Sequence, residues 1–149
     1  MSLSTVFDVA ASGMNAQTVR INTTASNLAN AQSASSSVEQ TYRARHPVFA
    51  SLHQDALKRM AGGDPFAAST GESTGVQVTG IVESDAPLQR RYEPHHPEAD
   101  EEGYVFYPNV NVMEEMTNMI SASRSFQVNV ETMNAAKSMM QQVLRLGQS

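Results

Sequence analysis

At 149 residues, 40% apolar and 17% charged, the chain has room for one domain with a modest core. It contains no cysteine, which excludes disulfides, thiolate metal sites and a cysteine nucleophile. The formal charge of −5 comes from the middle, where eleven acids stand against six bases. No basic footprint of a nucleic-acid binder is present.

The first element is a helix expected from Leu3 to Asn30, roughly 40 Å long at about 1.5 Å rise per residue. Phe7, Met14, Ile21 and Leu28 recur at strict sevens, with Leu3, Ala11, Thr18 and Ala25 between them. This spacing draws one narrow apolar seam along the helix. The rest of its surface is amides and hydroxyls, with Asp8 and Arg20 as the sole charges, so intrinsic helix stability is expected to be low. Neutral polar groups suit a surface that lies against other protein, because they bury at less cost than ions. Asn22, Asn27 and Asn30 are therefore expected at subunit contacts, with Asn30 also a helix cap. No basic segment followed by an apolar run opens the chain, so a cleavable signal is not expected. Nor does any stretch approach the roughly 18 apolar residues of a membrane span.

A serine-rich connector, Ala31 to Glu39, follows. TYRARHPVFA then alternates as a strand, with Tyr42, Ala44, His46 and Val48 on one face and Arg43, Arg45 and Phe49 on the other; Pro47 places it at a sheet edge. Residues 51 to 75 read as a loop, with a short helix around Leu52 to Met60. GVQVTGIVE, Gly75 to Glu83, is the clearest strand, and Pro87 to Tyr92 and Tyr104 to Tyr107 are shorter ones. Between these last two, EPHHPEADEEG is an exposed acidic turn. Its His95 and His96 are adjacent on irregular backbone, without the helical spacing that converges ligands on one ion, so no metal and no cofactor is expected.

The last element is a helix from Val112 to Leu146, about 50 Å long at the same rise. Asn109 or Asn111 caps its start, Glu114 and Glu115 face the positive end of its dipole, and Arg145 lies in its last turn. Val112, Met119, Phe126, Met133 and Met140 repeat the beat of seven, joined by Met116, Val130 and Leu144. Lys137 also falls on the seam, where it is expected to snorkel outward while Ala136 turns inward. Met113 and Met139 lie off the seam and are expected at intermolecular contacts. The fold class is therefore α+β, with long terminal helices paired as an antiparallel, coiled-coil-like stem and a small β-rich domain inserted between them. Residues 1–30 and 111–149 would form the stem and residues 31–110 the insertion.

Two segments resemble a known family. AASGMNAQTVRINTTASNLANAQ, Ala10 to Gln32, is similar to the N-terminal signature of bacterial flagellar axial proteins, with SNLAN at its centre. YPNVNVMEEMTNMISASRSFQVNVETMNAAKSMMQQVLRLGQ, Tyr107 to Gln148, is similar to their C-terminal signature, and TYRARHPVF with GYVFYPNVN narrows the resemblance to proximal-rod members. It implies a non-enzymatic rod subunit that polymerises into a hollow helical drive shaft and transmits torque from motor to hook. It further implies export through the flagellar type III apparatus and a place in the periplasmic part of the basal body. The implied partners are copies of itself, other rod proteins, the MS-ring and the export apparatus. The serine run Ser33 to Ser37 departs from the family's Asn-Thr-x-Gly-Tyr, and Pro94-His95-His96-Pro97 has histidine where glycine is common. Two other readings compete: a helical-bundle export substrate or chaperone that binds a partner helix without polymerising, and an enzyme using the His95 loop. The first would not need a β insertion.

Overall fold

A computed structural model describes residues 3–53 and 73–146. The order is α1 (Leu3–Asn30), β1 (Arg45–His53), β2 (Ser73–Glu83), β3 (Gln89–Tyr92), β4 (Tyr104–Tyr107) and α2 (Val112–Leu146). Two long terminal helices enclose a small β region, so the chain is α+β.

α1 has neither an acid in its first turn nor a base in its last. Its hydroxyls bond inside the helix instead. Thr18 and Thr23 donate to the Met14 and Val19 carbonyls at 2.9 and 2.8 Å, and the Asn30 amide donates to the Ser26 carbonyl at 2.8 Å. These three side chains of a helix of weak formers are thus satisfied by the helix's own backbone. α2 is conventionally terminated: the Asn111 side-chain oxygen accepts from Met113 N–H at 3.2 Å, and Glu114, Glu115 and Arg145 complement the dipole.

Among the described residues the strands of the β region form two two-stranded sheets, β1–β2 and β3–β4. Among the described residues β1 has β2 as its one strand neighbour, so Pro47 sits within it without interrupting a central ladder, whereas Phe106 of β4 faces Arg90 on one side and bridges to Ser35 on the other. β3 and β4 are antiparallel, with Arg90 opposite Phe106 and Tyr92 opposite Tyr104. The loop expected over 51–75 is shorter than the sequence implies, because β1 continues to His53 and β2 starts at Ser73. The helix expected near Leu52 to Met60 lies, from residue 54 on, outside the described residues.

The chain forms two compact units. One contains Met1–Thr18, Phe49–Thr79 and Ser123–Ser149. In it Ala10, Ala16 and Ala136 are buried while Lys137 is exposed. A Cβ on Gly13 would come within 2.9 Å of the Asn129 amide nitrogen, so that side chain would have to shift to admit one. Gly75 has φ of 146°, outside what L side chains readily adopt, and a Cβ there would overlap the Ser12 hydroxyl, which accepts from Val76 N–H at 3.2 Å. The other unit contains Val19–Val48 and Gly80–Ala122. Its buried apolar residues are Ala44, Val105, Val110 and Ala122, accompanied by the polar Thr23, Thr24, Asn27, Thr41 and Glu115.

Candidate assembly interface

In the unit formed by Val19–Val48 and Gly80–Ala122, the facing surfaces of α1 and α2 meet through polar groups. Arg20 donates to the Asn118 side-chain oxygen at 2.9 Å, and seven residues on, Asn27 donates to the Glu115 carboxylate at 3.1 Å. As α1 advances α2 recedes, so the helices run antiparallel. Asn27 is 0% exposed and uses its whole amide. Its oxygen accepts from Arg45 N–H at 2.9 Å and the Tyr42 hydroxyl at 2.8 Å, and its nitrogen also donates to the Arg45 carbonyl at 2.8 Å. Pairing with both backbone groups of one residue is what a neighbouring strand does, so a helix side chain stands in for a β partner where β1 begins. Tyr42 is held in turn by Ser26 at 3.2 Å.

A second asparagine fixes the adjoining backbone. The Asn109 oxygen accepts from Ala44 N–H at 2.8 Å, while its nitrogen donates to the carbonyls of Ala86 at 2.8 Å and Ser84 at 3.2 Å. Of the two residues expected to cap α2, Asn111 does so and Asn109 ties three loop segments together. Arg45 and Glu83 pair at 2.9 Å, but both side chains are about half exposed, so this bridge adds under about 1 kcal/mol.

The seam residues fall in several environments. Phe7, Met14, Ile21 and Leu28 are half-buried, as are Met119, Phe126, Val130 and Met133. Val112 is 36% exposed, Met116 47%, Met140 39% and Leu144 61%; the side chain of Leu3 lies outside the described residues. Fully covered positions on α1 belong instead to Ala10, Ala16, Thr23, Thr24 and Asn27, and on α2 to Glu115, Ala122 and Ala136. Of the expected subunit contacts, Met113, Met139 and Asn22 are exposed, Asn30 is bonded back to its own helix, and Asn27 is wholly enclosed by its own chain. Gly13, Arg20, Tyr42, Asn109 and Glu115 were not singled out as interface residues. For Gly13 and Arg20 the signal is the line of sevens Gly13, Arg20, Asn27 beside the apolar line, which reads as solvent face until its partners are known; Tyr42, Asn109 and Glu115 carry no such periodic signal.

The β3–β4 hairpin is braced by arginine over tyrosine. Arg90 lies 3.6 Å from the Tyr104 ring centre and Arg91 4.7 Å from that of Tyr107. Tyr107 donates to the Glu93 carboxylate at 3.1 Å. Burial, and then this carboxylate, raise the Tyr107 pKa above its ordinary value, against a smaller opposing effect of Arg91. In the acidic turn beyond, His95 is exposed and the His96 Nδ1 accepts from Glu98 N–H at 3.1 Å. Among the described residues no three histidine or acidic side chains gather as metal ligands, and no helix is long and apolar enough to cross a membrane.

Comparison with known proteins bears on what such helices do. Residues 7–32 match the family described as flagella basal body rod protein, and residues 101–146 match the C-terminal region of the flagellar basal body rod FlgEFG proteins. The chain is 45% identical to the flagellar basal-body rod protein FlgC of Salmonella typhimurium, the alignment covering 99% of this chain and all of that one. It is 47% identical to FlgC of Escherichia coli O157:H7, over 99% of this chain and all of the relative, and 34% identical to that of Borreliella burgdorferi, over 98% of both. The chain belongs to the FlgC family of flagellar basal-body rod proteins.

Proposed function

We propose that this chain, a structural subunit of the flagellar basal-body rod, occupies the proximal rod, where it polymerises with copies of itself and other rod components into a hollow helical shaft that passes torque from motor to hook. What supports this beyond family membership is the division of labour on the helices. Polar groups and small residues close each helix pair within the chain, which leaves the apolar lines half-covered and available to neighbours. The same reading gives it a periplasmic place, delivery by the type III export apparatus, contact with the MS-ring, and no catalytic role.

The test is complementation of a flagellated strain lacking its own copy, with rods isolated and the chain located in them by electron microscopy. Density for the chain in the segment next to the MS-ring is the expected result. Restored export without incorporation into rods would favour an export factor that never polymerises.

A further inference from the structure

In the unit formed by Met1–Thr18, Phe49–Thr79 and Ser123–Ser149, α2 loses its cover at Ala136, and every residue from Lys137 to Leu146 is exposed. Met139 is 53% exposed and Val143 67%, four residues on; Met140 and Leu144 repeat the spacing beside them at 39% and 61%. Two adjacent apolar lines of this kind form a docking stripe of coiled-coil type. Its one charge past Lys137 is Arg145. On α1 of the same unit, Val6, Phe7 and Met14 are only half-buried, Val9 is 39% exposed, and the exposed Asp8 between them is the sole acid in the first 30 residues.

We propose that the end of α2 docks on the start of α1 of a second copy of this chain, with Met139 and Val143 along the Phe7 and Met14 line and Arg145 beside Asp8. This rests on the rod-subunit reading and adds the identity and polarity of one contact. Charge decides the pairing. Two α2 ends brought together would set Arg145 against Arg145, and two α1 starts would set Asp8 against Asp8, whereas the mixed contact joins opposite signs. A contact between two different patches, repeated head to tail, propagates as a ring or a helix, the geometry a tube requires.

The full-length chain is tested as the only copy in a flagellated strain. Asp8→Arg and Arg145→Glu should each lower completed rods several-fold at unchanged protein level and thermal stability, and the double variant should return them to within about twofold. Because the chain has no cysteine, co-expressed Asp8→Cys and Arg145→Cys chains should yield an oxidised mixed dimer in isolated rods. Absence of both rescue and mixed dimer, or a disulfide between two Arg145→Cys chains in place of the mixed one, overturns the proposal while the rod reading stands. Absence of the unmodified chain from isolated rods would overturn the rod reading itself.

Discussion

The joint around Asn27 and the end of α2 are built on opposite principles. At the joint a carboxamide with no exposed surface has four partners drawn from α1's surroundings, the start of β1 and the first turn of α2. At the end of α2, Met139, Val143 and Leu144 are each more than half exposed. A buried polar hub is costly unless every group is satisfied, so its completeness within one chain means it asks nothing of a neighbour. Exposed methionine and valine lines at helical spacing are the reverse, since their burial becomes favourable only when another surface arrives.

The largest expected effect is at the joint. Asn27→Asp removes both donors and sets a carboxylate against Glu115, and it should destabilise the monomer by about 3 kcal/mol or more, read by chemical denaturation. Adding Glu115→Gln restores a donor toward the new carboxylate and should recover part of that loss. Asn109→Ala removes the side-chain partner of the Ala44 N–H and the Ala86 carbonyl, while the Ser84 carbonyl keeps Arg43, and should cost about 2 kcal/mol in the same assay. Gly75→Ala forces a strained backbone and crowds Ser12, at a cost of about 1 to 3 kcal/mol in thermal melts. Met139→Ser with Val143→Ser should shift monomer stability by less than about 0.5 kcal/mol yet reduce rod assembly; a large loss of monomer stability would mean that these side chains already have cover. His95→Ala with His96→Ala should be the quietest change, within about 0.5 kcal/mol and without effect on motility.

The limits of the two helices and of β4 were open to reading from the sequence. Leu3 to Asn30 and Val112 to Leu146 coincide with α1 and α2, and Tyr104 to Tyr107 with β4, because caps, prolines and turn residues act locally. Which helix line turns inward was not. The apolar line Phe7, Met14, Ile21, Leu28 and the line Gly13, Arg20, Asn27 are one residue apart, which turns them about 100° from each other around the helix, and hydropathy favours the first as the inward one. Close helix approach rewards small side chains, and Gly13 against Asn129 is a contact whose partner lies 116 positions along the chain. Asn27 in a last turn reads as a cap or a surface amide, since its partners at Tyr42, Arg45 and Glu115 are invisible to any local rule. The extension of β1 to His53 was hidden by Ser51 and His53, which carry no strand preference and gain it by pairing with β2.

The Gly13 position also acts as a mechanical key. Twisting a shaft loads its helix pairs in shear, and a smooth stripe of flexible methionines resists sliding poorly, because each side chain can re-pack one position further on. The hollow left by Gly13 admits the head of Asn129, and on either side of it the buried Ala10 and Ala16 each carry a methyl group. For one helix to creep along the other, that amide must first climb out of its slot, so slippage meets a stop at a defined register instead of uniform friction.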